Sequence, residues 1–171
     1  TQSTTNPHLG LQALAAMSYG ESIESALKGA IETDGDPQSR QLHGLDASGN
    51  FWAWTGENSQ NWAGHMGTEN VSLAGNFLSG PEVLEACMES ISFSTDRSLE
   101  SRLIQALFAG EEAGGDKRGR QSAALVTIRN QPFPWCNLRV DDNVDPLVEL
   151  TRLFEEFKKP YYQEFISLIK T

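Results

Sequence analysis

A threonine at the head of a chain places an α-amine and a hydroxyl on neighbouring carbons. The hydroxyl is a weak nucleophile, and an α-amine with a pKa near ~7.7 can take its proton at neutral pH. The sequence opens on Thr1. One reading is a peptide bond cut just before it, which leaves a compact unit for attack on an amide carbonyl. The other is a boundary that happens to fall at a threonine, and position alone does not separate them. Attack would form an acyl ester on the hydroxyl, released by water with the amine shuttling protons. The tetrahedral intermediate needs hydrogen-bond donors, and Asn76, after Gly75, is the candidate. Its plainer role is a turn asparagine bonding its own backbone.

A second group lies in Gly114-Gly115-Asp116-Lys117-Arg118-Gly119-Arg120. Arginine presents a planar fork to a carboxylate, so Arg118 and Arg120 could orient an acidic substrate group while Asp116 steadies the amine. The plainer reading is a glycine-rich connection whose charges pair with one another. No GxxxxGK[ST] is present, which excludes a nucleotide-binding P-loop at motif level. Asp141 and Asp142 beside Arg139 read better as a strand-end turn than as a metal or acid/base pair. His8, His43 and His65 show neither ligand spacing nor a readable triad, so no metal and no cofactor are expected. Trp52, Trp54 and Trp62 could line an aromatic pocket, though core packing explains the first two more simply. Cys87 and Cys136 match no zinc or redox spacing, and a disulfide is not expected.

These residues need a scaffold. Pro7 opens a short helix with Leu11, Leu14 and Ala15 at helical spacing. Ile23, Ala26, Leu27, Ala30 and Ile31 form the stripe of a second helix packed on a sheet. A hairpin is expected from Arg40–Asp46 and Phe51–Thr55 around Ser48-Gly49-Asn50. Residues 57–67 read as an Asn/Gly/Ser-rich stretch leading into a strand near Asn70–Gly75. Ser79-Gly80-Pro81-Glu82 suits a capping box before a helix with Leu84, Cys87, Met88 and Ile91. A fourth helix carries Leu99, Leu103, Ala106 and Leu107 and ends at Gly110. Strands follow at Ser122–Ile128 and Leu138–Val140. Asp145 should cap a last helix with Pro146 in its first turn and Leu147, Leu150, Phe154 and Phe157 inward. Pro160 should break it and leave a second amphipathic piece, Tyr161–Ile169. Helices in blocks around hairpins indicate an α+β class with layered sheets.

With 13 Lys+Arg against 23 Asp+Glu, the net charge of −10 argues against nucleic-acid and anionic-membrane partners. At 171 residues, with 39% hydrophobic and 21% charged, a single domain over 1–171 is expected. No apolar run reaches the ~18 residues of a membrane helix and no leader is visible, so a cytoplasmic protein is expected.

Thr1-Gln2-Ser3-Thr4-Thr5-Asn6-Pro7 with Gly10, Gly75–Pro81, Gly114–Leu125, and Leu138–Asp142 with Pro146, Glu149 and Arg152 together resemble a family. It is a largely uncharacterised bacterial and archaeal one assigned to the Ntn-hydrolase superfamily. The resemblance implies a four-layer αββα sandwich and an N-terminal Thr, Ser or Cys, freed by self-cleavage, that hydrolyses amide bonds. Carried onto the matching positions, it implies Thr1, Asn76 and Asp116 as catalytic residues and Gln2, Asn6, Arg118 and Arg120 as substrate-binding ones. In family members the position of Thr1 follows an opening pair of strands. Either those strands form a separate small subunit of a cut precursor, or the chain is a fragment in which Thr1 is a strand residue beside the pocket. The expected activity is cleavage of a non-peptide C–N bond of a small amide substrate. The expected partners are the small N-terminal subunit and further copies of the processed pair. The alternatives are a non-catalytic binding or assembly module and a threonine peptidase acting on its own precursor.

Overall fold

The computed structural model describes residues 1–93 and 98–168. A three-stranded antiparallel sheet has the order β1 (Gln2–Ser3), β2 (Arg40–Leu45), β3 (Phe51–Thr55). Between β1 and β2 the chain forms helices α1 (Pro7–Ser18) and α2 (Ile23–Glu32). A second antiparallel sheet pairs β4 (Trp62–Thr68) with β5 (Val71–Leu78), and helices α3 (Glu82–Phe93) and α4 (Leu99–Glu112) follow. A third pairs β6 (Ala123–Ile128) with β7 (Pro134–Val140), before α5 (Pro146–Phe157) and α6 (Pro160–Leu168). The class is mixed α+β, with small antiparallel sheets and, among the described residues, no closed barrel.

Helix α2 forms as its stripe dictates. Ser22 caps it by accepting from Ser25 N, and Ile23, Ala26, Leu27, Ala30 and Ile31 are all buried. They pack with Leu9, Ala13 and Leu42 into one cluster, with Trp52 and Trp54 against it. At Gly44 the helix comes so close that a Cβ would sit 3.0 Å from Ile23 Cδ1. The opposite face of this sheet meets the second one, through β2 against β5 and β3 against β4, and α3 packs on the outer side of β4 and β5. Ile104, Leu125, Cys136, Val140, Leu150 and Phe154 form a separate cluster under β6 and β7. Cys87 and Cys136 are free thiols, and burial pushes Cys136 up to about 11.

Several expectations need correction. In α1 the buried residues are Leu9 and Ala13, while Leu11 and Leu14 are each 65% exposed. The expected face was therefore the wrong one. In α4, Leu99 and Leu107 are exposed and the buried face carries Glu100, Ile104 and Ala106. The Glu100 carboxylate accepts from Thr127 Oγ1 at 3.0 Å and so ties the helix to β6. Asp145 stands at the α5 N-cap position without capping it. Its carboxylate instead takes Arg120 Nη1 at 2.7 Å. The stretch 57–67 contains the start of a strand, β4, that was not expected. Pro160 does separate α5 from α6, and Ile169 lies outside the described residues. Among the described residues no helix is long and apolar enough to cross a membrane.

Candidate functional site

The space between the first two sheets is lined by polar side chains where hydrocarbon would be ordinary. At its centre is Gln41, which is fully buried. Its Nε2 donates toward Thr55 Oγ1 (2.9 Å), Gly64 O (2.8 Å) and Gly75 O (2.9 Å). Its Oε1 accepts from Gln2 Nε2 at 2.8 Å and from Asn76 Nδ2 at 3.2 Å. The backbone makes this possible. Gln2, Gln41 and Thr55 stand opposite one another across β1, β2 and β3. A bulge between Trp62 and Gly64 disturbs the β4–β5 ladder where the two carbonyls turn to Gln41. Imidazoles flank the centre. Thr55 Oγ1 lies 2.9 Å from His65 Nδ1, and His43 Nδ1 lies 2.9 Å from Ser72 Oγ. Burial holds His43 below the ordinary imidazole range, and electrostatic coupling to the amino terminus and to His65 adds to this.

The first strand is held by Asp34. Its carboxylate accepts from Asn6 Nδ2 at 2.8 Å and from Arg40 Nε at 2.9 Å, and Arg40 Nη1 also reaches Thr4 O at 2.6 Å. The Asn6 amide, then the Asp36 backbone N–H, hold the Asp34 carboxyl below its usual value against desolvation, with Arg40 adding to them. A carboxyl lowered in the folded state stabilises at neutral pH, and that stability is lost as pH falls through the lowered value. In urea unfolding, Asp34→Asn should therefore lower the midpoint most near about pH 7, with the gap to the parent closing as the pH falls below the ordinary carboxyl range and through the lowered value. A gap of constant size would refute the linkage.

Beside this network lies a cleft of about 860 Å³, with apolar walls from Leu78, Val83, Leu84 and Leu107 and a rim from the Gly114–Arg120 loop. The loop is fastened to β5. Asp116 bridges Leu78, and Lys117 N donates to Phe77 O at 2.8 Å. Gly114 at φ +121° also faces Ser79 so closely that a Cβ would lie 2.3 Å from its Oγ, so both conformation and space demand glycine. Phe77 has φ +57°, a costly conformation for an aromatic residue, and its ring carries the Arg118 guanidinium 4.0 Å above it. The strained position joins the amide network to the cleft.

The residues expected to form one site thus divide. Gln2 and Asn76 go with the amide network, and Thr1 only precedes Gln2 in the chain. Thr1 is exposed, with its methyl near Gly10 at the start of α1. Asn76 is a strand residue in β5, and its amide turns to Gln41. Asp116, Arg118 and Arg120 line the cleft, and Gly75 belongs to both regions. Asp116 and Arg118 hold each other in a two-pronged ion pair (3.0 and 2.6 Å), which lowers the carboxyl and raises the guanidinium. Arg120 pairs with Glu111 and Asp145. Asn6 belongs to neither region and caps α1 by accepting from His8 N. Gln41, Thr55 and Ser72 escaped sequence reasoning, and His65 was set aside there, because their partners lie 10 to 39 residues away along the chain.

A family model described as a family of unknown function, DUF1028, matches residues 1–150. The crystal structure of a protein from Silicibacter pomeroyi, assigned to the same family model, superposes with a TM-score of 0.86 at 28% identity. The match covers 94% of this chain and 71% of that one. No curated protein matches the chain.

Proposed function

The chain belongs to the DUF1028 family, and on that footing we propose that it is the larger part of an Ntn-type amidohydrolase of four-layer αββα architecture. The Thr1 hydroxyl attacks the carbonyl of a small, non-peptide amide. The α-amine, once freed, takes the hydroxyl proton and returns it to the leaving nitrogen, and water releases the acyl ester. The observation that carries this reading is that Asn76 and Gln2 donate to the same oxygen of Gln41. Asn76 is thereby placed beside the residue that follows Thr1, and each amide keeps a second N–H for a developing oxyanion. The order α2, first sheet, second sheet, α3 supports the architecture. A small strand-bearing polypeptide completes it by covering β6, where Val126 and Ile128 are 52% and 62% exposed. A two-stranded sheet is marginal alone.

The cleft takes the substrate's body in this reading. Because Arg118 and Arg120 already hold carboxylates, an anionic substrate has to displace Asp116, Glu111 or Asp145, and a neutral amide does not.

The test is turnover of a panel of small amides, with intact-mass detection of an acyl adduct. Asn76→Ala should cut kcat by roughly 10²–10³, and Thr1→Ala should abolish the adduct and precursor cleavage. Undiminished activity in Thr1→Ala removes Thr1 from the mechanism. The exposure of Thr1, off the walls of the cleft, favours a second reading, a binding or assembly module on the same fold. That reading gives no acyl adduct with any amide.

A further inference from the structure

The bond between Thr55 and His65 takes its direction from the His65 tautomer, and its surroundings remove one alternative destination for the hydroxyl proton. Gln41 Nε2 faces Gly64 O and Gly75 O at 2.8 and 2.9 Å. Carbonyl oxygens only accept, so the group turned toward them is the NH2 of the amide and not its oxygen. The same nitrogen lies 2.9 Å from Thr55 Oγ1. An amide NH2 offers no lone pair, so Thr55 cannot donate its hydroxyl proton to Gln41. Thr55 Oγ1 lies 2.9 Å from His65 Nδ1, and in the Nε2–H tautomer that ring nitrogen accepts the hydroxyl proton. Gln41 also has only two hydrogens for three acceptors, which leaves lone-pair density on Oγ1. A hydroxyl that hands its proton to an imidazole while keeping a free lone pair is the arrangement of a nucleophile with its general base.

We infer that Thr55, activated by His65, accepts an acyl group from a small ester or amide at the mouth of the inter-sheet network. Thr55 is half-buried and His65 exposed, so both can be reached from solvent. Oγ1 bonds to the carbonyl carbon while its proton passes to Nδ1. The C–O or C–N bond of the substrate breaks, and the leaving oxygen or nitrogen takes that proton from Nδ1. Water, deprotonated by the same nitrogen, then cleaves the threonine ester and restores the hydroxyl. The remaining N–H groups of Gln2 and Asn76, held next to Gln41, are the nearby donors for the oxyanion. This site shares those donors with the Thr1 reading and differs from it in nucleophile and base.

The experiment uses the full chain with p-nitrophenyl acetate, an acid quench and peptide mapping, beside p-nitrophenolate release by Thr55→Val, Thr55→Ser and His65→Gln. The expected result is acetyl on Thr55, or release that falls at least about tenfold in Thr55→Val and His65→Gln but survives in Thr55→Ser. Acetyl on Thr1 with Thr55 unmodified overturns the inference and supports the earlier reading. No acetyl on Thr55, with release unchanged in Thr55→Val, overturns it as well. Nitrogen NMR of the parent chain gives an answer that needs no variant to fold. His65 should be the Nε2–H tautomer, and an Nδ1–H tautomer rejects the pair.

Discussion

Gln41→Leu should lower the free energy of unfolding by about 2–6 kcal/mol. The substitution nearly conserves volume but strips the Gly64 and Gly75 carbonyls of the donor they face in the interior. Each buried acceptor left without a partner costs ~1–3 kcal/mol, and two are involved. The donors on the other side of the hub escape more cheaply, because the Gln2 and Asn76 side chains can rotate to water, whereas the two carbonyls, on residues equally half-buried, are fixed in the backbone of β4 and β5. Gln2→Ala should accordingly cost under about 1 kcal/mol. Against a total stability of ~5–15 kcal/mol, the loss at Gln41 is large enough to leave some of the chain unfolded in mild urea. The check is the urea midpoint of both variants at equal m-value. Similar small shifts for Gln2→Ala and Gln41→Leu would mean that the carbonyls find other partners and that Gln41 is not the hub.

Leu150→Ala should cost about 2–5 kcal/mol, the range for emptying a leucine-sized space in a closed core. Leu150 has 0% of its surface exposed, at the centre of the cluster under β6 and β7. Leu42, at 1%, holds the same rank in the cluster between α2 and β2, and Leu42→Ala should cost a similar amount. The two clusters have no member in common, so the double variant should lose the sum of the two within ~0.5 kcal/mol. A shortfall well beyond that in urea unfolding would show that the clusters behave as one core.

How far the sequence revealed all this depended on whether one pattern or two competed for each segment. In α2 a single apolar stripe is set against charged residues, and the buried face follows it residue by residue. Helix α1 is apolar on more than one side, so Leu9/Ala13 and Leu11/Leu14 offered rival stripes. Only contact with the sheet chooses between them. Strand β4, Trp-Ala-Gly-His-Met-Gly-Thr, is weakened as a strand signal by two glycines, and it forms because β5 pairs with it. The asparagine of Gly75-Asn76 reads as a turn residue, yet the left-handed backbone comes one position later, at Phe77. Of the site, the types of Thr1, Gln2 and Asn76 were legible. The residue that gathers two of them, Gln41, looks like any glutamine in a strand until β5 is laid across it.

An interior that holds amides between its sheets also changes how the protein answers to temperature. Exposing apolar surface raises the heat capacity on unfolding and exposing polar surface lowers it, for a usual net of about 12–15 cal/mol/K per residue. The chain released from around Gln41 exposes more of the second kind than a hydrocarbon sandwich does. Calorimetry should therefore find an increment at or below the bottom of that range, and a flatter dome of stability. Cooling weakens such a molecule slowly.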